Sequence, residues 1–218
     1  MPKIISVKDA AKMIKPHDRL MCGTFLVAGV AQNLIDALVE ENTKDIHLIA
    51  ISTDFDTSGV GVLVANKQIK SAQISHIGTN KASQAQNKSG ETDFELIPQG
   101  TLLERIRCAG AGLGGILSPT GIGTIVEEGK KIISVKGKDY MLEEPIEADF
   151  GFIRAKKADK YGNLVYDKVA RNANPVMAMT AKTVIVEVDE IVEIGEIKSE
   201  DVVTPGIFVD YLVKHEEK

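Results

Sequence analysis

Residues 30–51 read VAQNLIDALVEENTKDIHLIAI, and this stretch decides the fold. Residues 30–41 place their apolar side chains on one face of a helix, since these are spaced three or four apart. Residues 46–51 form a short apolar, β-branched run, as is typical of a buried strand. The stretch therefore predicts a helix followed by a strand, which is the repeating part of a βαβ unit.

The same alternation extends along the chain in both directions. Further strands are predicted at 19–22, 73–77, 94–97, 150–153 and 183–188, and further helices at 79–89 and 100–108. A capping signal, Ser6-x-x-Asp9, predicts the first helix. Residues 132–135 and 140–142 flank a turn and predict an antiparallel hairpin. The chain is thus predicted to be α/β, with an open, mainly parallel sheet flanked by helices, a small antiparallel hairpin, and one domain over residues 1–218.

Composition excludes several classes of partner. A net charge of -5 argues against nucleic acid, because neutralising phosphates needs a basic face. No apolar run approaches the ~20 residues of a membrane span, and the N-terminus does not resemble a signal peptide. We therefore expect a cytoplasmic protein with no membrane partner. Cys22 and Cys108 are expected to be buried thiols, and the scattered histidines predict no metal site.

Two motifs have more than one interpretation. Residues 110–115 satisfy the G-x-G-x-x-G spacing of dinucleotide-binding loops, but they follow a predicted helix rather than a strand. A glycine-rich loop at an interface or cleft is the favoured interpretation. Pro98-Gln99-Gly100-Thr101 ends a strand and opens a helix, which is where ligands bind in open α/β sheets. By chemistry alone, an ordinary turn is the simpler explanation of this segment.

A set of ordered blocks distributed over nearly the whole chain is similar to one known family. The blocks are Pro98-Gln99-Gly100-Thr101-Leu102-x-Glu104-Arg105-Ile106-Arg107, Gly110-Ala111-Gly112, Thr120-Gly121-x-Gly123-Thr124, Glu127-Glu128-Gly129, Ala148-Asp149-Phe150, Asp159-x-x-Gly162-Asn163, Ala170-Arg171-Asn172-x-Asn174-Pro175, Val186-Glu187-Val188 and Thr204-Pro205-Gly206. They resemble the α-type subunits of acetate/butyrate:acetoacetate CoA-transferases and the N-terminal half of succinyl-CoA:3-oxoacid CoA-transferase.

The resemblance implies a split enzyme of short-chain fatty-acid metabolism. A β-type partner would carry a glutamate that attacks an acyl-CoA and then holds CoA as a thioester, in a heteromer such as α2β2. Coenzyme A enters as a substrate, together with small carboxylates, and no other cofactor is implied. The segment of this chain most similar to the family's nucleophile block surrounds Glu200. It lacks the asparagine and glycine that follow the catalytic glutamate in the relatives. We therefore expect no nucleophile here.

The resemblance also assigns the site residues. Gln99 matches a family glutamine placed beside the reacting thioester, where an amide donor stabilises oxyanion charge. The expected cleft residues are Gly23, Thr24, Phe25, Gly29, Ser52, Thr53, Gly78, Asn80 and Gly100. Two segments depart from the family pattern: residues 23–31 have Thr24 and Ala31 in place of a glycine and a proline, and residues 50–56 lack an asparagine. These departures predict an altered pocket and a differently shaped carboxylate substrate.

Two other functions compete with this one. A sugar-phosphate isomerase on a related fold would need its own acid/base carboxylate and a cationic phosphate site, and no such group of residues is evident. A non-catalytic ligand-sensing or scaffold subunit on the same fold is the remaining alternative, since the altered loops are compatible with lost activity.

Overall fold

The structure is a computed structural model and describes residues 1–216. Its strands are β1 (Lys3–Ile4), β2 (Arg19–Cys22), β3 (Ile46–Ser52), β4 (Ile69–His76), β5 (Asp93–Leu96), β6 (Ile116–Ser118), β7 (Ile132–Val135), β8 (Lys138–Glu143), β9 (Phe150–Asp159), β10 (Leu164–Val165), β11 (Thr183–Val192) and β12 (Tyr211–Lys214). Its α-helices are α1 (Val7–Met13), α2 (Gln32–Glu41), α3 (Gly61–Ala65), α4 (Lys81–Ser89), α5 (Gln99–Gly110) and α6 (Asn174–Ala178).

The main sheet confirms the predicted fold class. Its strand order is β1-β12-β11-β9-β2-β3-β4-β5, and each of these neighbouring pairs is parallel. The short β10 adds to β9 in the antiparallel direction. Strands from both ends of the chain lie side by side at one edge, β1 beside β12. The predicted single domain, residues 1–218, includes residues 217–218, which lie outside the described part.

The predicted hairpin is confirmed and is part of a larger unit. β7 and β8 pair around the turn at Lys136 and Gly137, and β6 pairs with the other side of β8. The result is a separate three-stranded antiparallel sheet. β6 lies within the glycine-rich segment, where no strand was predicted. The G-x-G-x-x-G spacing follows helix α5, as predicted. A dinucleotide-binding loop follows a strand instead, so the dinucleotide interpretation does not fit.

Hydrophobic residues on the two faces of the sheet form two cores. Along β3, Leu48 and Ala50 face the core that includes α1, α2 and α3, whereas Ile49 and Ile51 face the core that includes α5 and α6. This explains why the strand reads as a continuous apolar run: both of its faces are covered. Both cysteines are buried, as predicted.

Local signals determined how well each element was predicted. Ser6 caps α1, and its hydroxyl oxygen accepts the Asp9 N–H at 3.1 Å, as the capping signal predicts. Strand β4 begins at Ile69, earlier than the predicted residue 73. Helix α3, with five residues, is too short to show helical periodicity and was missed. The short strands β1, β10 and β12 were also missed.

Candidate active site

Four parallel strands end at one edge of the sheet. β2, β3, β4 and β5 are neighbours, so the segments that follow them meet at this carboxyl edge. These segments are residues 23–31, 53–60, 77–80 and 97–98, which leads into α5. Every residue that the sequence assigned to the cleft lies in these segments, at the last position of β3, or in the first turn of α5. The fold therefore brings the predicted site residues to one region, although the role of each stays a prediction.

Gln99 is the first residue of α5 and is exposed to solvent. The preceding Pro98 ends the extended segment after β5, and proline is well suited to the start of a helix. Within residues 1–216 the side-chain amide of Gln99 has no hydrogen-bond partner, so it is free to donate to a bound molecule. Gly100 follows, and a methyl group built on it would meet no atom within 4 Å. This part of the edge is open.

A buried carboxylate that the sequence analysis missed organises the neighbouring loops. Asp54 follows β3 and is fully buried. Its Oδ1 accepts the Ser52 hydroxyl at 2.8 Å and the Val27 N–H at 3.1 Å. Its Oδ2 accepts the Val60 N–H at 3.1 Å. The Thr24 hydroxyl lies 3.0 and 2.9 Å from the two oxygens. Four donors thus converge on one side chain.

These contacts change how the buried residues are interpreted. Thr24 and Ser52 are almost fully buried, and both direct their hydroxyls at Asp54. Thr24 therefore adds no surface of its own to a cleft of this chain. Any effect of Thr24 on a substrate passes through the position of its loop. The sequence signal for Asp54 was its place two residues after the end of the buried strand β3.

A third loop is tied to the same region by Asn80. Its side-chain oxygen accepts the Ser83 N–H at 2.7 Å and so caps α4. Its amide group donates to the Thr53 carbonyl at 3.1 Å. Asn80 is fully buried, so both ends of its amide are used within the chain. The Thr53 hydroxyl is also buried and has no hydrogen-bond partner among the described residues.

The glycines that follow β2 allow close packing. A methyl group on Gly23 would lie 1.8 Å from Asn174 Oδ1. Gly29 has a φ of +72°, and a methyl group on it would lie 2.4 Å from the Ala170 carbonyl oxygen. Asn174 also donates to the Gly29 carbonyl at 3.0 Å, which fixes the loop against α6. By contrast, Gly78 is exposed, and its nearest neighbour is the ring of His76.

Two phenylalanines occupy matching positions in the first two loops. Phe25 pairs with Ala28, and Phe55 pairs with Ser58, each through a short antiparallel bridge. Phe25 is 37% exposed and Phe55 is 38% exposed. Residues 23–31, 53–60 and 77–80 contain no lysine or arginine. The described surface of these loops is therefore apolar in part and offers no side-chain cation.

The carboxylates and thiol near this edge are poor candidates for a nucleophile. Asp54 is enclosed, and Asp56 accepts the N–H groups of Lys81 and Ala82 at the start of α4. Burial, with a smaller contribution from the charge of Asp54, raises the pKa of Cys22 well above its usual range. Glu200 lies far along the chain from these segments, in a short 3-10 turn. Its side chain is exposed, as predicted.

A cavity separate from the carboxyl edge lies nearer the amino ends of the same strands. It has a volume of about 170 Å³, and its lining includes Arg19, His47, Gln73 and Glu95. Burial acts to raise the pKa of Glu95, but hydrogen bonds from Gln73 and Arg105 outweigh it and lower that pKa. Gln73 also accepts from Arg19 at 2.9 Å. These polar side chains are hydrogen-bonded to one another. The cavity is therefore a weaker candidate for a ligand site than the carboxyl edge.

Residues 1–216 contain neither a membrane-spanning helix nor a cluster of metal ligands. No helix in this part is long and apolar enough to cross a membrane. No group of three or more histidine, cysteine, aspartate or glutamate side chains there is arranged to hold a metal ion.

Comparisons with known proteins agree with the sequence resemblance. The family model described as coenzyme A transferase matches residues 4–215. The chain is 44% identical to the acetate CoA-transferase subunit alpha of Escherichia coli K12, over 99% of this chain and 98% of that protein. It is 42% identical to the acetoacetyl-CoA:acetate/butyrate CoA transferase alpha subunit of Clostridium acetobutylicum, over 97% of each.

Solved structures share the fold at lower identity. The acyl-CoA transferase of Escherichia coli O157:H7 superposes with a TM-score of 0.88 at 23% identity. The match covers 98% of this chain but 47% of that one, so this chain spans about half of it. Glutaconate coenzyme A-transferase from Acidaminococcus fermentans gives a TM-score of 0.84 at 20% identity, over 97% of this chain and 75% of that one. With a family model that covers almost every residue and relatives similar over their full length, the chain belongs to the coenzyme A transferase family and matches its α-type members.

Proposed function

We propose that this chain is the α subunit of a heteromeric short-chain acyl-CoA:carboxylate CoA-transferase of the 3-oxoacid type. The relatives that it matches over nearly their full length are named as α or A subunits of such enzymes. The partner is a β-type subunit that carries the catalytic glutamate, in an assembly such as α2β2 in the cytoplasm. Its substrates are an acyl-CoA, which brings in coenzyme A, and a small carboxylate, and no separate cofactor takes part.

The observation that carries this proposal is the placement of Gln99. Its exposed amide lies at the N-terminus of α5, on the sheet edge where four segments meet. The N-terminus of a helix bears partial positive charge and unpaired N–H groups, which favours developing negative charge. A free amide at this position suits the stabilisation of an oxyanion on a thioester carbonyl.

The reaction proceeds by alternating transfer. The partner's glutamate attacks the acyl-CoA carbonyl, and the Gln99 amide donates a hydrogen bond to the resulting oxyanion. Collapse expels the CoA thiolate and leaves an acyl-glutamyl anhydride. The thiolate then attacks the glutamyl carbonyl, which releases the first carboxylate and leaves a glutamyl-CoA thioester. The second carboxylate reverses these steps and departs as the new acyl-CoA.

The carboxylates of this chain support a nucleophile on the partner. Within the described loops at the carboxyl edge, only Asp54 and Asp56 carry carboxylates. Asp54 is buried among four donors, and Asp56 is held by two backbone N–H groups. Both carboxylates are already engaged by donors of this chain, which supports a nucleophile supplied by the partner subunit.

Replacing Gln99 by alanine in the two-subunit enzyme tests the proposal. We expect kcat to fall by roughly 10²-fold or more, as for the loss of one oxyanion donor. Gln99 is exposed, so thermal stability should be unchanged. Glu104→Ala is the matched control, because Glu104 is exposed in the same helix and its carboxylate pairs with the exposed Arg107. Full activity of Gln99→Ala would refute the role of the amide and favour a scaffold subunit, whose partner would retain its function.

A further inference from the structure

We infer that Asp54 is a positioning residue that, together with Thr24, locks residues 23–31 and 53–60 against each other and so sets which carboxylates the site accepts. The inference rests on the proposed function and extends it to specificity. Residues 23–31 form the first loop and residues 53–60 the second loop. Both follow neighbouring parallel strands at the carboxyl edge.

The hydrogen bonds require a carboxylate at this position. The Oδ1 of Asp54 accepts a backbone N–H from Val27 in the first loop, at 3.1 Å. Its Oδ2 accepts a backbone N–H from Val60 in the second loop, also at 3.1 Å. Asparagine would place its NH₂ group against one of these two N–H groups in either orientation, because it has a single acceptor oxygen. Aspartate is therefore the residue that can receive both loops at once.

Thr24 completes the link from the first loop. Its hydroxyl lies within 3.0 Å of both Asp54 oxygens, and the side chain is fully buried. Hydrogen bonds to a buried carboxylate are among the stronger ones in proteins, because the group has lost its water. A second link runs from the Gln32 side chain to the Gly59 N–H at 2.8 Å. The contact between Thr24 and Asp54 thus fixes the relative position of the two loops near the strands that they follow.

The residues that follow this pair are the exposed ones. Thr24 is directly followed by Phe25, and Asp54 by Phe55, each in a bridged turn. A shift at the Thr24 and Asp54 contact therefore moves both rings. With no lysine or arginine in either loop, these two loops offer apolar surface and no side-chain cation for a second carboxylate. The locked loops favour a monocarboxylate with an apolar chain over a dicarboxylate.

The test compares two acceptors in the two-subunit enzyme. The measured quantity is the ratio of kcat/KM for butyrate to kcat/KM for succinate, which does not depend on the fraction of active enzyme. Thr24→Val removes the hydroxyl, whereas Thr24→Ser keeps it. Thr92→Val is the control for general loss of stability, because Thr92 is buried and bonded to Gln86 at 2.7 Å, away from the carboxyl edge. Amide hydrogen exchange of the two loops is measured on the same samples.

We expect Thr24→Val to lower the ratio by about tenfold, the effect of one hydrogen bond to a charged group. Exchange in both loops should be faster, whereas Thr24→Ser and Thr92→Val should keep the wild-type ratio and loop exchange. A Thr24→Val ratio within about twofold of wild type, or an equal change in Thr92→Val, would overturn the inference. A wild-type enzyme inactive with every acceptor would instead refute the proposed function. In that case amide hydrogen exchange in the two loops of Thr24→Val would test the Thr24–Asp54 link by itself. Exchange at the wild-type rate would overturn that link.

Discussion

Replacing Glu187 by alanine should destabilise the fold severely, because its carboxylate serves several elements at once. Glu187 lies in β11, and its side chain is 0% exposed. One oxygen accepts the Leu34 N–H at 3.1 Å, in the first turn of α2. The other lies 2.6 Å from His215 Nδ1 and 3.8 Å from Arg154 Nε. The helix that follows the first loop is thus held to the centre of the sheet.

The expected cost follows from the groups that would lose their partner. Alanine leaves the Leu34 N–H and the Arg154 side chain without the buried carboxylate, and breaking such a buried arrangement costs about 3–5 kcal/mol. Glutamine keeps an acceptor for the helix N–H but removes the charge. We therefore expect Glu187→Gln to cost less, about 1–2 kcal/mol.

Urea unfolding followed by far-UV circular dichroism measures these free energies. Glu190→Ala is the matched control on the same strand, because Glu190 is 53% exposed and pairs with the exposed Lys157. An exposed pair contributes about 0–1 kcal/mol. If Glu187→Ala cost no more than Glu190→Ala, the buried carboxylate would not hold α2 and the reasoning would be refuted.

Three further predictions concern packing, thiol reactivity and pH. Gly23→Ala should lower the unfolding free energy by about 1–3 kcal/mol, because the methyl would overlap Asn174; Gly114→Ala, with open space around it, should not. Burial raises the pKa of Cys22, so mass spectrometry should find it unmodified by maleimide in the native protein and modified in urea; rapid native labelling would contradict this. A backbone N–H donated from the start of β2 lowers the pKa of Asp149. The stability that this carboxylate adds is present above the pKa of an unfolded aspartate, ~3.9, and is lost progressively as pH falls through the lowered folded pKa. The gap between wild type and Asp149→Asn in thermal melts should therefore narrow as pH falls below ~4, and a gap that does not change with pH would contradict this.

The sequence predicted the fold class well because the strong signals were local. α2 shows a helical periodicity and β3 is a continuous apolar, β-branched run, so both could be recognised without knowledge of their neighbours. Short elements such as α3 and β12 carry no such signal and depend on packing against the sheet. Strand β6 of the small sheet lies in a glycine-rich segment. Because glycine is depleted in strands, this composition did not predict one there.

The candidate site residues could be named from the sequence, but the contacts among them could not. Motif similarity placed Gln99 and the loops, and the parallel sheet brings them to one edge. Nothing in the pattern paired Thr24 with Asp54, which are thirty positions apart and meet only because β2 and β3 are adjacent. The two segments that depart from the family pattern are thus joined through one buried carboxylate, Asp54, which sequence spacing alone does not reveal.

The most direct test of the proposed function is CoA transfer from acetoacetyl-CoA or butyryl-CoA to a panel of carboxylates. The assay uses this chain alone and then together with its β-type partner, and mass spectrometry locates the CoA thioester. The proposed mechanism predicts activity only in the mixture, with the thioester on a glutamate of the partner. Transfer by this chain alone would contradict the assignment of the nucleophile to a second subunit, and a stable but inactive complex would favour a scaffold instead.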